Sequence, residues 1–145
     1  MPATEACALL GADELAGILG ADAGAAEAGV PADAKSDGAS AVECRWATRD
    51  GARTLAVVLH RANTADDASA VMRAVEESFS SAGQAPAPID SIGDDAFFAF
   101  NQLHVRSGTD HLTIVVTGFS NDAALEAATK AAGPAVTRLT ADHRR

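Results

Sequence analysis

Two histidines in one predicted β-hairpin are the side chains best placed to do chemistry. A Gly-Thr pair typical of a tight turn separates the two strands. If Ser107 pairs with Asp110 across this turn, then His104, Arg106 and His111 lie on the same polar face. Imidazoles in such a pair can bind a metal or an anion. Because the spacing brings no third ligand to them, we predict no metal site and expect both histidines to line a solvent-facing surface.

Carboxylates near these strands offer acid–base chemistry as a second possibility. Asp94 and Asp95 are adjacent, so in a strand they point to opposite faces and do not act as a pair. We expect them to bond the backbone of a turn. A hydrolase using His104 or His111 with Asp110 remains an alternative. The chain has neither a G-x-S-x-G nor a phosphate-loop motif, so we predict no catalytic residues and no cofactor.

The two cysteines, Cys7 and Cys44, have two interpretations. They form no C-x-x-C motif and no cysteine–histidine cluster with metal-ligand spacing. A disulfide would tie the N-terminal segment to a strand and could add about 3–4 kcal/mol of stability. Two buried free thiols acting as small apolar side chains are the alternative. Sequence spacing does not decide between them.

The first half of the chain predicts a helix and a hairpin. A short helix over 12–19 is followed by a loop at 20–40 that is rich in Ala, Gly, Asp and Ser. Asp50-Gly51 predicts a two-residue turn joining strands 41–49 and 52–60. In that register one face of the hairpin is apolar, and Arg45 and His60 lie on the other face.

The second half predicts a helix, three strands and a last helix. The segments are a helix from Thr64 to about Gly83, a connector at 84–88, strands from about 96, at 103–107 and at 111–117, and a helix over 121–139. Gly133-Pro134 predicts a kink or a break, with Pro134 opening a second helix. We expect a frayed tail at 140–145. We also expect the aromatic side chains, Phe100 among them, on or beside the core elements.

This order of elements predicts an α+β fold. The order is α-β-β-α-β-β-β-α, with an antiparallel sheet of about five strands in two hairpin units and helices covering its apolar face. The 145 residues suit a single domain, with its core at about 7–139. A formal net charge of −9 argues against nucleic acid and anionic membrane surfaces as partners. No apolar run is long enough to insert into a membrane.

Three short motifs follow one another in an order found in one protein family. Cys7–Leu15 resembles C-x-L-L-T-x-x-[DE]-[VL], Cys44-Arg45-Trp46 resembles C-x-W, and Ile92–Phe98 resembles [LI]-G-D-x-A-[FWY] before a G-[DT]-x-L-x-[IV]-x-V strand. This pattern resembles small extracytoplasmic domains of actinobacterial lipoproteins of unknown function. Their fold is similar to the Mog1/PsbP-like sandwich. The resemblance spans roughly residues 7–139.

The resemblance carries expectations about covalent structure and location. It implies a Cys7–Cys44 disulfide and an exported protein. An extracytoplasmic location follows if a leader was removed, and a cytoplasmic one if Met1 is the natural start. Gly11 stands where the family has Thr, so the hydroxyl N-cap is missing and Asp13 or Glu14 must assist through the helix dipole.

These observations lead to one leading function and two alternatives. We predict a non-enzymatic binding or interaction module of the bacterial cell envelope, whose partner is a protein or a small ligand. Its predicted contact surface joins the loop at 20–40 to the sheet face that bears Arg45, His60, His104, Arg106 and His111. A small-molecule or lipid carrier with a cavity between sheet and helices is the first alternative, and the hydrolase is the second.

Overall fold

The computed structural model describes residues 3–30 and 40–143 of the chain. Two 3₁₀ turns, Ala3–Glu5 and Cys7–Leu9, precede the helices α1 (Ala12–Leu19), α2 (Ala65–Ser81) and α3 (Asn121–His143). The strands are β1 (Glu27–Gly29), β2 (Ser40–Ala47), β3 (Thr54–Arg61), β4 (Ala87–Pro88), β5 (Asp95–Ala99), β6 (Gln102–Ser107) and β7 (Asp110–Thr117). The predicted loop at 20–40 thus contains β1, and its residues 31–39 lie outside the described part of the chain.

The strands form one antiparallel sheet in the order β1-β2-β3-β7-β6-β5-β4. The predicted α+β class is confirmed, whereas the prediction of about five strands is wrong because the sheet has seven. The additional strands are its edges, where β1 has three residues and β4 has two. Strands this short show no alternation of apolar and polar side chains, and Pro88 is typical of an edge strand.

Both predicted hairpin registers are observed, but the first turn differs from its prediction. Trp46 pairs with Leu55 and Ser107 pairs with Asp110, as the sequence pattern requires. The first hairpin does not close with a two-residue turn at Asp50-Gly51. Its regular pairing ends before residue 48, and Gly51 N–H donates to the Thr48 carbonyl at 2.8 Å. Gly51 has a φ of 73°, which glycine adopts without strain.

Helices cover both faces of the sheet, where the sequence predicted helices on one face. The inner face packs against α1 and α3, and its buried side chains are Val42, Cys44, Trp46, Leu55, Val57, Leu59, Leu103, Val105, Leu112, Ile114 and Val116. The outer face is the opposite one. Over β5 to β7 it meets α2, where Met72, Val75 and Phe79 pack against Phe97 and Ala99. The helices therefore form a layer on each side of the sheet.

Helix α3 continues through the predicted break. Pro134 lacks an N–H and its ring crowds the carbonyl four residues earlier, at a cost of about 3 kcal/mol inside a helix. Ala131 and Ala132 before it, and Ala135 and Leu139 after it, are all buried against the core. This burial on both sides offsets the cost, so no second helix begins at Pro134. The helix extends to His143, four residues beyond the predicted end at 139.

Two contacts fasten the N-terminal segment. Cys7 and Cys44 form a disulfide with a Cα–Cα distance of 5.1 Å, as the family resemblance implied. Glu14 Oε1 accepts the Gly11 N–H at 2.7 Å, which is the half of a capping box that needs no side chain on Gly11. Arg138 of α3 donates to both carboxylate oxygens of Glu14, at 2.6 and 3.1 Å, and to the Leu9 carbonyl. Arg138 and the Gly11 N–H lower the pKa of Glu14.

The disulfide should make a large contribution to stability. It closes a loop between residues separated by 37 positions, for which the loss of chain entropy in the unfolded state corresponds to about 4 kcal/mol. We expect a reducing agent to lower the free energy of unfolding in guanidinium by an amount of this order. The Cys7→Ser/Cys44→Ser variant should be equally destabilised and insensitive to reductant. Equal unfolding midpoints of the wild-type protein with and without reductant would contradict this prediction.

Candidate functional site

The half of the outer face that α2 leaves uncovered forms an open groove. It lies over β2, β3 and β7 and has a volume of about 580 Å³. Its floor holds Thr54, Ala56 and Val58 of β3 beside Val115 and Thr117 of β7. A volume of this size lies within the range of about 300–1,000 Å³ that is usual for small-molecule sites.

The shape of the groove follows from small floor residues and one raised rim. Ala56 lies across from Val115, and Thr54 lies across from Thr117, so short side chains line the middle of the sheet. The segment before β1 forms the rim, because Ala23 bridges to Thr48 and the Gly24 N–H donates to the Ala47 carbonyl. This rim is part of the predicted loop at 20–40. The loop therefore contributes to the site, as one wall of a groove.

Three charged side chains lie along the β1–β2 side of the groove. Arg45 Nε donates to Glu43 Oε1 at 2.6 Å, and Glu27 pairs with Arg45 in the strand register. The Glu43 hydrogen bond raises the pKa of Arg45, and the charge of Glu27 adds to the effect. Two carboxylates against one guanidinium leave this side of the groove with a net negative charge.

Further along the outer face, four rings form a row across four strands, which we name the histidine row. It consists of Phe97 (β5), His104 (β6), His111 (β7) and His60 (β3). The ring centroids lie 4.9 Å apart from Phe97 to His104, 5.1 Å from His104 to His111 and 5.8 Å from His111 to His60, with each pair stacked. Phe79 of α2 packs edge-on against His104. The row continues the floor of the groove along β3 and β7, beneath α2.

The hydrogen bonds of the row assign its tautomers. His104 Nε2 lies 2.9 Å from Gln102 Oε1, which only accepts, so this nitrogen donates. Nδ1 of a neutral His104 is then an acceptor, and His111 Nε2 donates to it at 2.9 Å. The Thr113 hydroxyl lies 3.2 Å from the same Nδ1. His111 Nδ1 is consequently unprotonated, and within the described chain neither it nor His60 Nδ1 has a hydrogen-bond partner.

Burial keeps the two central histidines neutral. His104 and His111 are each 4% exposed, so the expectation that they face solvent is wrong. The reason is α2, whose apolar side covers them. Burial lowers the pKa of His104 to about 4, with a smaller effect from His60. Burial also lowers the pKa of His111 to about 3, and His104 and His60 add to the effect because like charges repel.

The other predicted residues do not form one site with His104 and His111. Arg106 turns away from His111 to Asp95, with Nε to Oδ2 at 2.9 Å, and Asp94 accepts the Gly108 N–H at 2.8 Å in the expected turn role. Of the five predicted binding-face residues, Arg45 alone is among those that line the described groove.

The arrangement needed for the alternative hydrolase is not present around Asp110. This carboxylate is fully buried and accepts from Arg61 Nε at 2.8 Å. Because Asp110 is adjacent to His111 in a strand, the two side chains point to opposite faces. Asp110 therefore does not orient either buried histidine for proton transfer.

The groove floor was not predicted as a binding surface, because the predicted contact residues were all charged side chains or histidines. Alternation had placed Ala56, Val58 and Val115 on the same face as the histidines, and three apolar positions on a nominally polar face were the available signal. The distinction between covered and open halves of that face depends on where α2 lies. The register of the hairpins does not determine where α2 lies.

Comparisons with protein-family models, with curated proteins and with solved structures gave no match. Within residues 3–30 and 40–143, no set of three or more His, Cys, Asp or Glu side chains is arranged to hold a metal ion. Over the same residues, no helix combines the length and the apolar character that crossing a membrane requires.

We predict that His104 and His111 stay neutral well below the pH at which free imidazoles gain a proton. At pH 5.5, long-range ¹H–¹⁵N spectra should show both rings neutral and His111 protonated on Nε2. The variants His104→Gln and His111→Phe assign the signals, and the urea-unfolded chain at the same pH provides the control, because its imidazoles titrate near about 6.5. An imidazolium signal from either ring while α2 covers the sheet would contradict the buried geometry.

Proposed function

We propose that this chain is a non-enzymatic binding module that takes a small amphipathic ligand into the groove. The ligand has an apolar body and one cationic group. The open groove on the half of the sheet that no described helix covers is the observation that carries this proposal. A site here replaces the cavity between sheet and helices that the small-molecule alternative had assumed.

The apolar body of the ligand would lie on the groove floor. Ala56, Val58 and Val115 present small apolar surfaces there, and transfer of apolar ligand surface from water onto them contributes about 25 cal/mol per Å². Thr54 and Thr117 at the end of the groove offer hydroxyl groups that accept or donate hydrogen bonds. This combination is typical of a ligand site with few, spaced polar groups.

The cationic group of the ligand would lie near Glu27 and Glu43. Arg45 neutralises one of the two carboxylates through its hydrogen bond to Glu43, so an added cation meets a net negative rim. The formal net charge of −9 acts in the same direction over longer distances. An anionic ligand of the same shape would be disfavoured.

The disulfide supports a location outside the cytoplasm. Disulfides such as Cys7–Cys44 persist mainly in oxidising compartments. We therefore place the proposed module in the cell envelope, in keeping with the resemblance to actinobacterial lipoprotein domains of the Mog1/PsbP-like kind. The α+β sheet with helices on both faces supports that resemblance.

Octylammonium and octanoate are a matched pair of probes for this proposal. Both carry the same apolar chain, and only the head charge differs. We expect octylammonium to shift the amide ¹H–¹⁵N signals of β3 and β7, the strands that form the groove floor. Octanoate should bind several-fold more weakly, and Glu27→Gln, which leaves the Arg45–Glu43 pair as the charges of this rim, should remove most of this difference.

Filling the groove should weaken binding without disturbing the core. Ala56→Phe places a ring on the floor from the outer face, and we expect octylammonium affinity to fall by about tenfold or more, a change of about 1.4 kcal/mol. Ala74→Phe, on an exposed position of α2, is the matched control and should bind as the wild type does. Unchanged affinity in Ala56→Phe, or no response of β3 and β7 to either probe, would reject the proposal.

A further inference from the structure

Helix α2 is attached to the sheet less extensively than α3. Its buried side chains are Ala68 and Met72, with Val75 and Phe79 partly buried. Met72, Val75 and Phe79 belong to a small cluster that is separate from the main core. By contrast, α3 buries a continuous row of alanines and Leu139 in the main core. An element with little buried apolar surface opens locally more readily than the rest of the fold.

The packing of α2 on the sheet is favourable only while the histidines beneath it are neutral. His104 and His111 share one hydrogen bond between their rings, and that bond needs an acceptor nitrogen on His104. Protonation of both rings would place the N–H groups of His104 Nδ1 and His111 Nε2 against each other across 2.9 Å. It would also leave a charge in a site walled by Phe79 and Phe97.

Burial is the main cause that lowers the pKa values of the pair, and the charged groups that add to it are histidines. The charged side chains on the described elements packed around the pair are Arg61 with Asp110, Arg106 with Asp95, and Asp66, Asp67, Arg73, Glu76 and Glu77 on α2. The first four are joined in ion pairs. Arg73 and Glu76 line a cleft beside Met72 and Phe97.

We propose that the histidine row makes α2 an acid-released cover, which leaves the sheet when His104 and His111 take up protons and exposes the whole outer face. Opening returns both rings to water, where their ordinary pKa is about 6.5. The closed state resists protonation down to a pH of about 4 for His104 and about 3 for His111. Opening is therefore suppressed above pH 6.5 and favoured progressively as the pH falls below it.

The size of the effect follows from these pKa values. Between pH 7.5 and pH 5.0, each histidine should raise the opening equilibrium of α2 by about 30-fold, since the open state binds the proton and the closed state does not. The released surface continues the groove, because Val58 and His60 follow one another on the outer face of β3, opposite Thr113 and His111. This consequence for ligand binding rests on the proposed function, whereas the release of α2 does not.

Hydrogen exchange measured by mass spectrometry tests the release without any ligand. Rates at pH 7.5, 6.0 and 5.0, corrected for intrinsic exchange, should show peptides from α2 losing protection as the pH falls while peptides from α3 keep theirs. The variant His104→Gln/His111→Phe should remove this pH dependence. His143→Gln, which changes the histidine at the end of α3, is the matched control and should behave as the wild type does.

The outcomes separate the release from other effects. Unchanged protection of α2 down to pH 5.0, or parallel loss in α2 and α3, would overturn the proposal, and the wild-type protein alone decides this. If the double variant fails to fold, the increase in opening between pH 7.5 and pH 5.0 should be about 30-fold smaller in His111→Phe than in the wild type. Octylammonium titrations at pH 7.5 test the proposed ligand separately; no amide shifts in β3 and β7 there, with α2 released at pH 5.0, would reject the proposed ligand and leave the release standing.

Discussion

The antiparallel pairing of β3 with β7 is the constraint on which the rest of the structure depends. These are the central strands of the sheet, and their register sends alternate side chains to the two faces. Leu55, Val57 and Leu59 go to the inner face with their apolar partners on β7, where α3 covers them. The same register places Ala56 in the groove and His60 in the histidine row. A shift of one residue in this register would turn the buried apolar side chains to the outer face and the groove and histidine-row side chains to the inner face.

The two halves of the outer face differ through what covers them. Toward β1 and β2 the floor is made of short side chains and stays open as a groove. Toward β5 and β6 the face carries rings, and α2 closes over them. Ring stacking across the strands leaves little room for water between His104 and its neighbours, so these imidazoles depend on each other and on Gln102 for hydrogen bonds. The cover and the neutral state of the histidines therefore support one another.

Hairpin register was predictable from the sequence because a slip would have mixed apolar and polar side chains on both faces. The edge strands were not predictable from the sequence, because a strand as short as Ala87–Pro88 shows no periodic pattern of apolar and polar side chains. The continuity of α3 through Pro134 depended on tertiary burial, which local propensity does not describe. For the site, the sequence brought His104 and His111 together but placed them in solvent. Their burial depends on where α2 lies, and its moderate apolar pattern does not indicate which face it covers.

The choice of histidine beneath α2 has a physical consequence that leucine or phenylalanine would not have. Apolar side chains at positions 104 and 111 would hold α2 with the same strength at any pH, because their burial involves no proton. The hydrogen bond between the two imidazoles satisfies two of their four nitrogens and Gln102 satisfies a third, so the pair resembles an apolar pair while neutral. It loses that character on protonation, which makes the attachment of the cover conditional. The disulfide and the Arg138–Glu14 contact hold the inner layer by bonds independent of this pair, so the inner layer can remain folded while the outer one opens.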